Sequence, residues 1–307
     1  MACEEIFAAN SDGGWPALWS TRNWEKRLQS ISLNGRSPAS LVWSGDELVD
    51  WVGGGARHRL DGSYVERRVS YIFDFDMAVA HGDYAVICQR FGTKGLILRD
   101  GEILREINRS YYFASTFDFP VCLWTDASGR VLIAHCPEAY NRIEIDDVET
   151  GERLTLAPDR KPQDFFHSRL QPSPGGANLI SAGWVWHPLQ LLSLFNIEAA
   201  LKDPRLLDDQ SDASVSHSDA EQTAACWISD SLLLVAGGEA FDDEPSRGPG
   251  PTPNEILIYD VRTRVAVRNL QLDRPAGAMM MAGANAVDTF HGFPRLVSQT
   301  DGAVLRE

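Results

Sequence analysis

Short apolar runs of β-strand length, bounded by turn-forming residues, recur along this chain. Six runs can be set in register with one another. They are Glu47-Leu48-Val49-Asp50-Trp51-Val52, Tyr84-Ala85-Val86-Ile87-Cys88, Arg130-Val131-Leu132-Ile133-Ala134, Asn178-Leu179-Ile180-Ser181-Ala182, Ser231-Leu232-Leu233-Leu234-Val235 and Asn285-Ala286-Val287-Asp288-Thr289. A third strand follows several of them, as Gly95-Leu96-Ile97-Leu98, Arg142-Ile143-Glu144-Ile145, Leu189 to Leu194 and Glu255-Ile256-Leu257-Ile258-Tyr259. An earlier strand precedes others, as Ser40-Leu41-Val42-Trp43, Val121-Cys122-Leu123-Trp124, Ala224-Ala225-Cys226-Trp227 and Ala278-Met279-Met280-Met281.

The turns repeat as well. Residues 99–106 read RDGEILRE and residues 300–307 read TDGAVLRE, with looser copies at 60–67 (LDGSYVER) and 149–154 (ETGERL). Asp-Gly between alternating runs marks a tight hairpin, because glycine accepts the positive φ such a turn requires. A fourth strand is expected after each of these turns. Successive units start 37 to 54 residues apart, a spacing that brackets the period of propeller blades, about 40–50 residues. The expectation is an all-β protein, a β-propeller of about six four-stranded blades, with seven blades, one of them partial, as the alternative.

Two stretches interrupt the period. Ile197 to Pro204 reads as one or two helical turns ended by proline, and Asp208 to Glu221 as a polar surface loop. The Pro/Gly/acid stretch from Glu239 to Asn254 is a further long loop. Residues 1–38 contain Trp15, Trp19 and Trp24 and a strand-like Leu28-Gln29-Ser30-Ile31-Ser32-Leu33. This N-terminal segment is placed to close the ring, with residues 39–307 forming the propeller domain.

Blade-like phrases such as Ile256-Leu257-Ile258-Tyr259-Asp260-Val261 with Arg262-Thr263-Arg264, and Ile145-Asp146-Asp147-Val148-Glu149-Thr150-Gly151, resemble the WD40-like and quinoprotein-like propeller superfamily. The likeness spans roughly residues 40–307 and is that of a generic blade. The chain has no Trp-Asp dipeptide and no Gly-His pair, so it departs from strict WD40 repeats.

Composition narrows the function classes. The net charge is −15, from 43 acidic against 28 basic residues, and such a field repels nucleic-acid phosphates and anionic lipid. A protein partner of basic character is expected, and neither nucleic acid nor membrane. The N-terminus is acidic where a secretory signal would be basic, and no apolar run reaches the ~18 residues of a membrane span. The five cysteines have no metal-ligand spacing and mostly sit in apolar runs, as buried thiols in a reducing compartment do. The cytoplasm is therefore the expected location.

No serine-hydrolase elbow, zinc motif or phosphate-binding loop is present, and no cofactor is expected. Phe73-Asp74-Phe75 and Phe117-Asp118-Phe119 repeat 44 residues apart, just ahead of two presumed inner strands. Asp74 and Asp118 are thus candidate metal ligands at one mouth of the channel, the basis of an alternative reading as a metal-dependent, lactonase-like hydrolase. The competing reading makes them turn caps whose flanking phenylalanines pack between blades. Trp184 and Trp186, with His187 and Pro188, share a strand face at a presumed hairpin tip. Together with Asp242 and Asp243 of the acidic loop they are the candidate ligand- or partner-binding residues. The favoured expectation is a non-catalytic protein-binding propeller, a scaffold or immunity-type module for a basic partner. Sugar or peptide binding through exposed tryptophans is a further possibility, and it requires one indole to be accessible.

Overall fold

The computed structural model describes residues 38–186, 189–209, 215, 220–240, 250–283 and 286–307. Six antiparallel sheets follow one another along the chain. Blade 1 contains β1 (Val42–Ser44), β2 (Glu47–Asp50), β3 (Ala56–Arg59) and β4 (Tyr64–Val65), and blade 2 contains β5 (Met77–His81), β6 (Tyr84–Cys88), β7 (Lys94–Arg99) and β8 (Glu102–Asn108). Blade 3 has β9 (Val121–Thr125), β10 (Val131–His135) and β11 (Glu144–Asp147), and blade 4 has β12 (Leu170–Pro172), β13 (Asn178–Val185) and β14 (Leu189–Asn196). Blade 5 is β15 (Ala220–Trp227), β16 (Leu232–Ala240), β17 (Glu255–Asp260) and β18 (Val265–Gln271), and blade 6 is β19 (Ala278–Met281), β20 (Ala286–Phe290), β21 (Pro294–Ser298) and β22 (Val304–Arg306). The first strands of successive blades lie side by side, β1 against β5, β5 against β9, β9 against β12 and β15 against β19. The architecture is the expected six-bladed propeller. The segment expected to close the ring lies, up to residue 37, outside the described residues.

The second strands β6, β10 and β16 are continuous apolar runs because each is covered on both faces. In β6, Ala85 and Ile87 join Val49 and Trp51 of blade 1, while Val86 and Cys88 join Val121 and Ile133 of blade 3. In β10, Ile133 faces blade 2, and Leu132 and Ala134 pack with Leu170 and Leu179 of blade 4. Successive side chains of a strand point to opposite faces, so one strand serves two interfaces. Each fully buried Leu or Ile contributes about 1.5–3 kcal/mol. Two further clusters join blade 4 to blade 5 and blade 5 to blade 6.

The Asp-Gly turns behave as their chemistry demands. Asp100 and Gly101 both have positive φ, 49° and 78°, which matches the twist of the β7–β8 hairpin. At the equivalent turn of blade 6, a Cβ on Gly302 would stand 2.4 Å from the Gln271 carbonyl oxygen. Glycine there allows blade 6 to approach blade 5. The four described cysteines are free and buried.

Blades 3 and 4 have three strands, not the expected four. After Thr150-Gly151 the chain does turn back, with Asp147 N–H donating to the Glu152 carbonyl (2.9 Å) and Leu154 N–H to that of Ile145 (2.8 Å). Pairing then stops, and Pro158 and Pro162, which lack an N–H, lie in the continuation. Side chains take over where a strand would have been. Fully buried Arg160 lies 3.5 Å from Glu144 and 2.7 Å from Asp208, and Glu144 also receives Arg142 at 2.6 Å. In blade 4 the Asn196 side chain accepts the Ala199 N–H at 2.8 Å and starts α1 (Ile197–Lys202) directly after β14. Pro204 opens the following 3₁₀ turn, as the proline signal predicts. Ile197, Ala200 and Leu207 bury themselves in the cluster between blades 3 and 4. Asp208, read as the start of a polar surface loop, is instead buried, because it receives the Arg160 guanidinium and the Lys161 N–H (2.7 Å).

Candidate functional site

In a meander of antiparallel strands, the turns between second and third strands share one end of the blade with the connections from fourth to next first strand. Three such connections meet on that face around blades 2 to 4 and bring together a cluster of aromatic rings. The first is residues 109–120, between β8 and β9. Its anchor is Arg109, buried, whose guanidinium donates to five carbonyls: Gly92 (2.6 Å), Asp118 (3.1 Å), Arg90 (3.1 Å), Ala114 (2.6 Å) and Phe117 (3.0 Å). It also stacks over Phe117 and Phe119 at 4.8 and 5.1 Å. Burial lowers its pKa to about 10, which leaves it charged at neutral pH. So tied, the loop turns Tyr111, Tyr112 and Phe113 outward, with Phe113 held at φ 51°.

The second element is the β10–β11 turn with Tyr140, whose hydroxyl donates to Asp164 at 2.6 Å. Desolvation, reinforced by that carboxylate, raises its pKa. The third is the run to β12, where buried Phe166 forms the centre of the cluster. Its ring stacks on Trp184 at 3.9 Å with an interplanar angle of 2°, and on Tyr140 at 4.2 Å. The backbones of Phe166 and Trp184 exchange hydrogen bonds of 2.9 and 3.2 Å. Gly183 makes this approach possible, since a Cβ there would fall 2.0 Å from the Phe166 carbonyl oxygen.

Trp186 stands nearly perpendicular to Trp184 (5.6 Å, 89°), Phe166 (5.3 Å, 89°) and Phe113 (5.2 Å, 85°). Edge-to-face packing of this kind fixes the rings relative to one another. Trp186 remains 42% exposed and Tyr111 86% exposed, with Tyr112 and Phe113 also open to solvent. Exposed Glu138 and Asp164 lie on the segments that carry Tyr140 and Phe166. The result is a rigid aromatic platform on one face of the disc.

Of the expected binding residues, Trp184 and Trp186 are in this platform, Trp184 half-buried as its floor and Trp186 as its edge. His187, Asp242 and Asp243 lie outside the described residues. Asp74 is exposed, and the Asp118 carboxylate faces Arg90 at 3.9 Å. Among the described residues no three His, Cys, Asp or Glu side chains gather as a metal-binding group. The Phe-Asp-Phe repeat has a packing role: Phe75 and Phe119 enter the clusters between blades 1 and 2 and between blades 2 and 3. The turn cap is Asp76 rather than Asp74, accepting the Arg90 N–H at 2.6 Å. Sequence reasoning missed Arg109, Tyr111, Tyr112, Phe113, Tyr140 and Phe166. The available signal was Tyr111-Tyr112-Phe113 and Phe165-Phe166, consecutive aromatics in segments between strands, where polar residues are the norm.

No protein-family model and no curated protein sequence matches the chain. Solved structures do. The chain is similar to the WD40 domain of Neurospora crassa Pan2 (12% identity over 86% of this chain and 76% of that one, TM-score 0.52). It is similar to a chain of the mitotic checkpoint complex (10%, 81% and 70%, TM-score 0.51) and to one of Kuenenia stuttgartiensis hydrazine synthase (12%, 87% and 76%, TM-score 0.50). At such identities the likeness is one of fold alone, and the fold is a β-propeller like that of the Pan2 WD40 domain.

Proposed function

We propose that this protein is a non-catalytic binding propeller that takes a basic segment of another protein onto its aromatic platform. One observation carries the reading: Tyr112, Phe113 and Trp186 are exposed together on a packed aromatic floor. Contiguous exposed apolar surface on a folded domain marks an interaction site, and Tyr and Trp are the side chains most enriched where binding energy concentrates. The net charge of −15 and the Asp164 carboxylate favour Lys or Arg in the partner, whose cations also stack on aromatic faces. Scaffold and immunity-type roles both use such a surface. The similar chain in the mitotic checkpoint complex is one component of a multiprotein assembly. The cytoplasm is the proposed compartment. Among the described residues no helix is long and apolar enough to cross a membrane.

The test is a panel of synthetic peptides that differ in Lys and Arg content, with binding read from tryptophan fluorescence. Basic peptides are expected to bind, more weakly as salt rises, and Trp186→Ala is expected to lose about tenfold or more in affinity, roughly 1.4 kcal/mol. Binding that ignores both salt and Trp186→Ala would overturn the proposal.

A further inference from the structure

The aromatic platform occupies one face of the disc, and the opposite face carries a polar cleft between blades 4 and 5. There β14 ends at Asn196, whose side chain accepts the Ala199 N–H (2.8 Å) and starts α1. The helix sends Ile197 and Ala200 into the cluster between blades 3 and 4. Blade 5 instead continues through the tight β17–β18 turn, with Arg264 at φ 59°. Among the described residues no fourth strand of blade 4 stands beside that turn, and a cleft of about 340 Å³ opens at the seam. Small-ligand sites span ~300–1,000 Å³. The back wall is Leu194 and Val261, which pack on the apolar cluster of blades 4 and 5. The rim sets Arg262 and Arg264 against the single carboxylate of Asp230, a formal charge of +1 on a chain whose total is −15.

The walls are fixed before anything binds. Asp260 accepts the N–H groups of Arg262 and Thr263, both at 2.9 Å, and so shapes the turn. Asp230 accepts the Gly175 N–H at 2.7 Å, while its backbone carbonyl receives the Asn178 side-chain amide at 2.9 Å. Both carboxylates are thus engaged by backbone N–H groups, whereas Arg262 meets Asp260 only at 4.0 Å and its side chain is 77% exposed. Asn196 uses its oxygen in the helix cap, which leaves its NH2 as a donor. We infer that this cleft binds a small carboxylic acid with an apolar body, the carboxylate at the arginine rim and the body on Leu194 and Val261. A guanidinium fork matches a carboxylate with two parallel hydrogen bonds. A phosphate dianion would bring Asp230 and Asp260 a second negative charge that the rim does not offset. The site lies apart from the aromatic platform and does not depend on it.

An amide NMR titration of the full-length protein with N-acetyl-L-leucine tests this. Saturable shifts are expected at Asn196, Ser231, Val261 and Arg262. N-acetyl-L-leucinamide, the same body without the charge, is expected to bind at least about tenfold more weakly, and Arg262→Gln to weaken binding of the acid to a similar degree. Arg68→Gln, which removes the same charge from the connection after blade 1, is expected to leave binding unchanged. Equal binding of acid and amide, undiminished binding by Arg262→Gln, no shift at those four amides, or tighter binding of inorganic phosphate would each overturn the inference.

Discussion

Blades 2 and 3 are neighbours that solve the same problem differently. In blade 2 four strands satisfy one another's backbone groups, and both faces of β6 and β7 are apolar. In blade 3 the ladder stops at three strands, and the outer position is filled by a buried charge network, Arg160 with Glu144 and Asp208. The difference has a use. Residues 155–166 leave the sheet and run to the platform face, where they deliver Asp164 and Phe166 between Tyr140 and Trp184. The regular blade supplies structure, and the irregular one supplies the surface.

The contrast is easiest to break with charge. Arg160→Leu strands Asp208 in the interior and leaves Glu144 to Arg142, and is expected to destabilise by about 3–5 kcal/mol, because removing one partner leaves buried charge uncompensated. Ile97→Val, in the apolar core of blade 2, is expected to cost only about 0.5–1.5 kcal/mol. Denaturant midpoints measure both, and equal losses would mean that the network does not replace a strand. Next in size is Gly183→Ala. Its methyl would meet the Phe166 backbone, and an overpacking loss of about 1–3 kcal/mol is expected, together with a change in near-ultraviolet circular dichroism as the Phe166–Trp184 stack shifts.

The smallest effect near neutral pH is a titration, which grows only as the solution is acidified. His167 is fully buried beside Ser181, with 3.0 Å between Nδ1 and Oγ, and burial lowers its pKa to about 3. The unfolded chain takes up that proton near pH 6.5, so the folded state loses stability as pH falls from there towards 3, by about 1.4 kcal/mol per unit, and is unaffected above 6.5. His167→Gln is expected to flatten this slope; an unchanged slope would assign the acid sensitivity elsewhere. Blade 2 offers no counterpart in its core, where burial pushes the Cys88 thiol up to about 12 and keeps it neutral.

What could be read from sequence follows the same division. The second strands, the Asp-Gly hairpins and the helical turn before Pro204 were legible because each is dictated by neighbouring residues: a short apolar run between turns, a positive φ, a missing N–H. The three-stranded blades were not, because Thr150-Gly151 does form its turn and the pairing fails only afterwards, where Arg160 finds Asp208 48 residues away. Trp184 and Trp186 stood out by their spacing. Their companions did not, since Tyr112, Tyr140 and Phe166 come from three connections that only the ring brings together.

The five carbonyls around Arg109 have a consequence for recognition. They make residues 90–118 a host whose guest is covalently attached, so the aromatic loop closes without any ion drawn from solution. The guest keeps its proton until about pH 10, so no change of pH near neutrality loosens the loop. Shape and charge are therefore set by separate groups. Removing platform carboxylates would weaken the attraction for a basic partner while the aromatic relief stays in place.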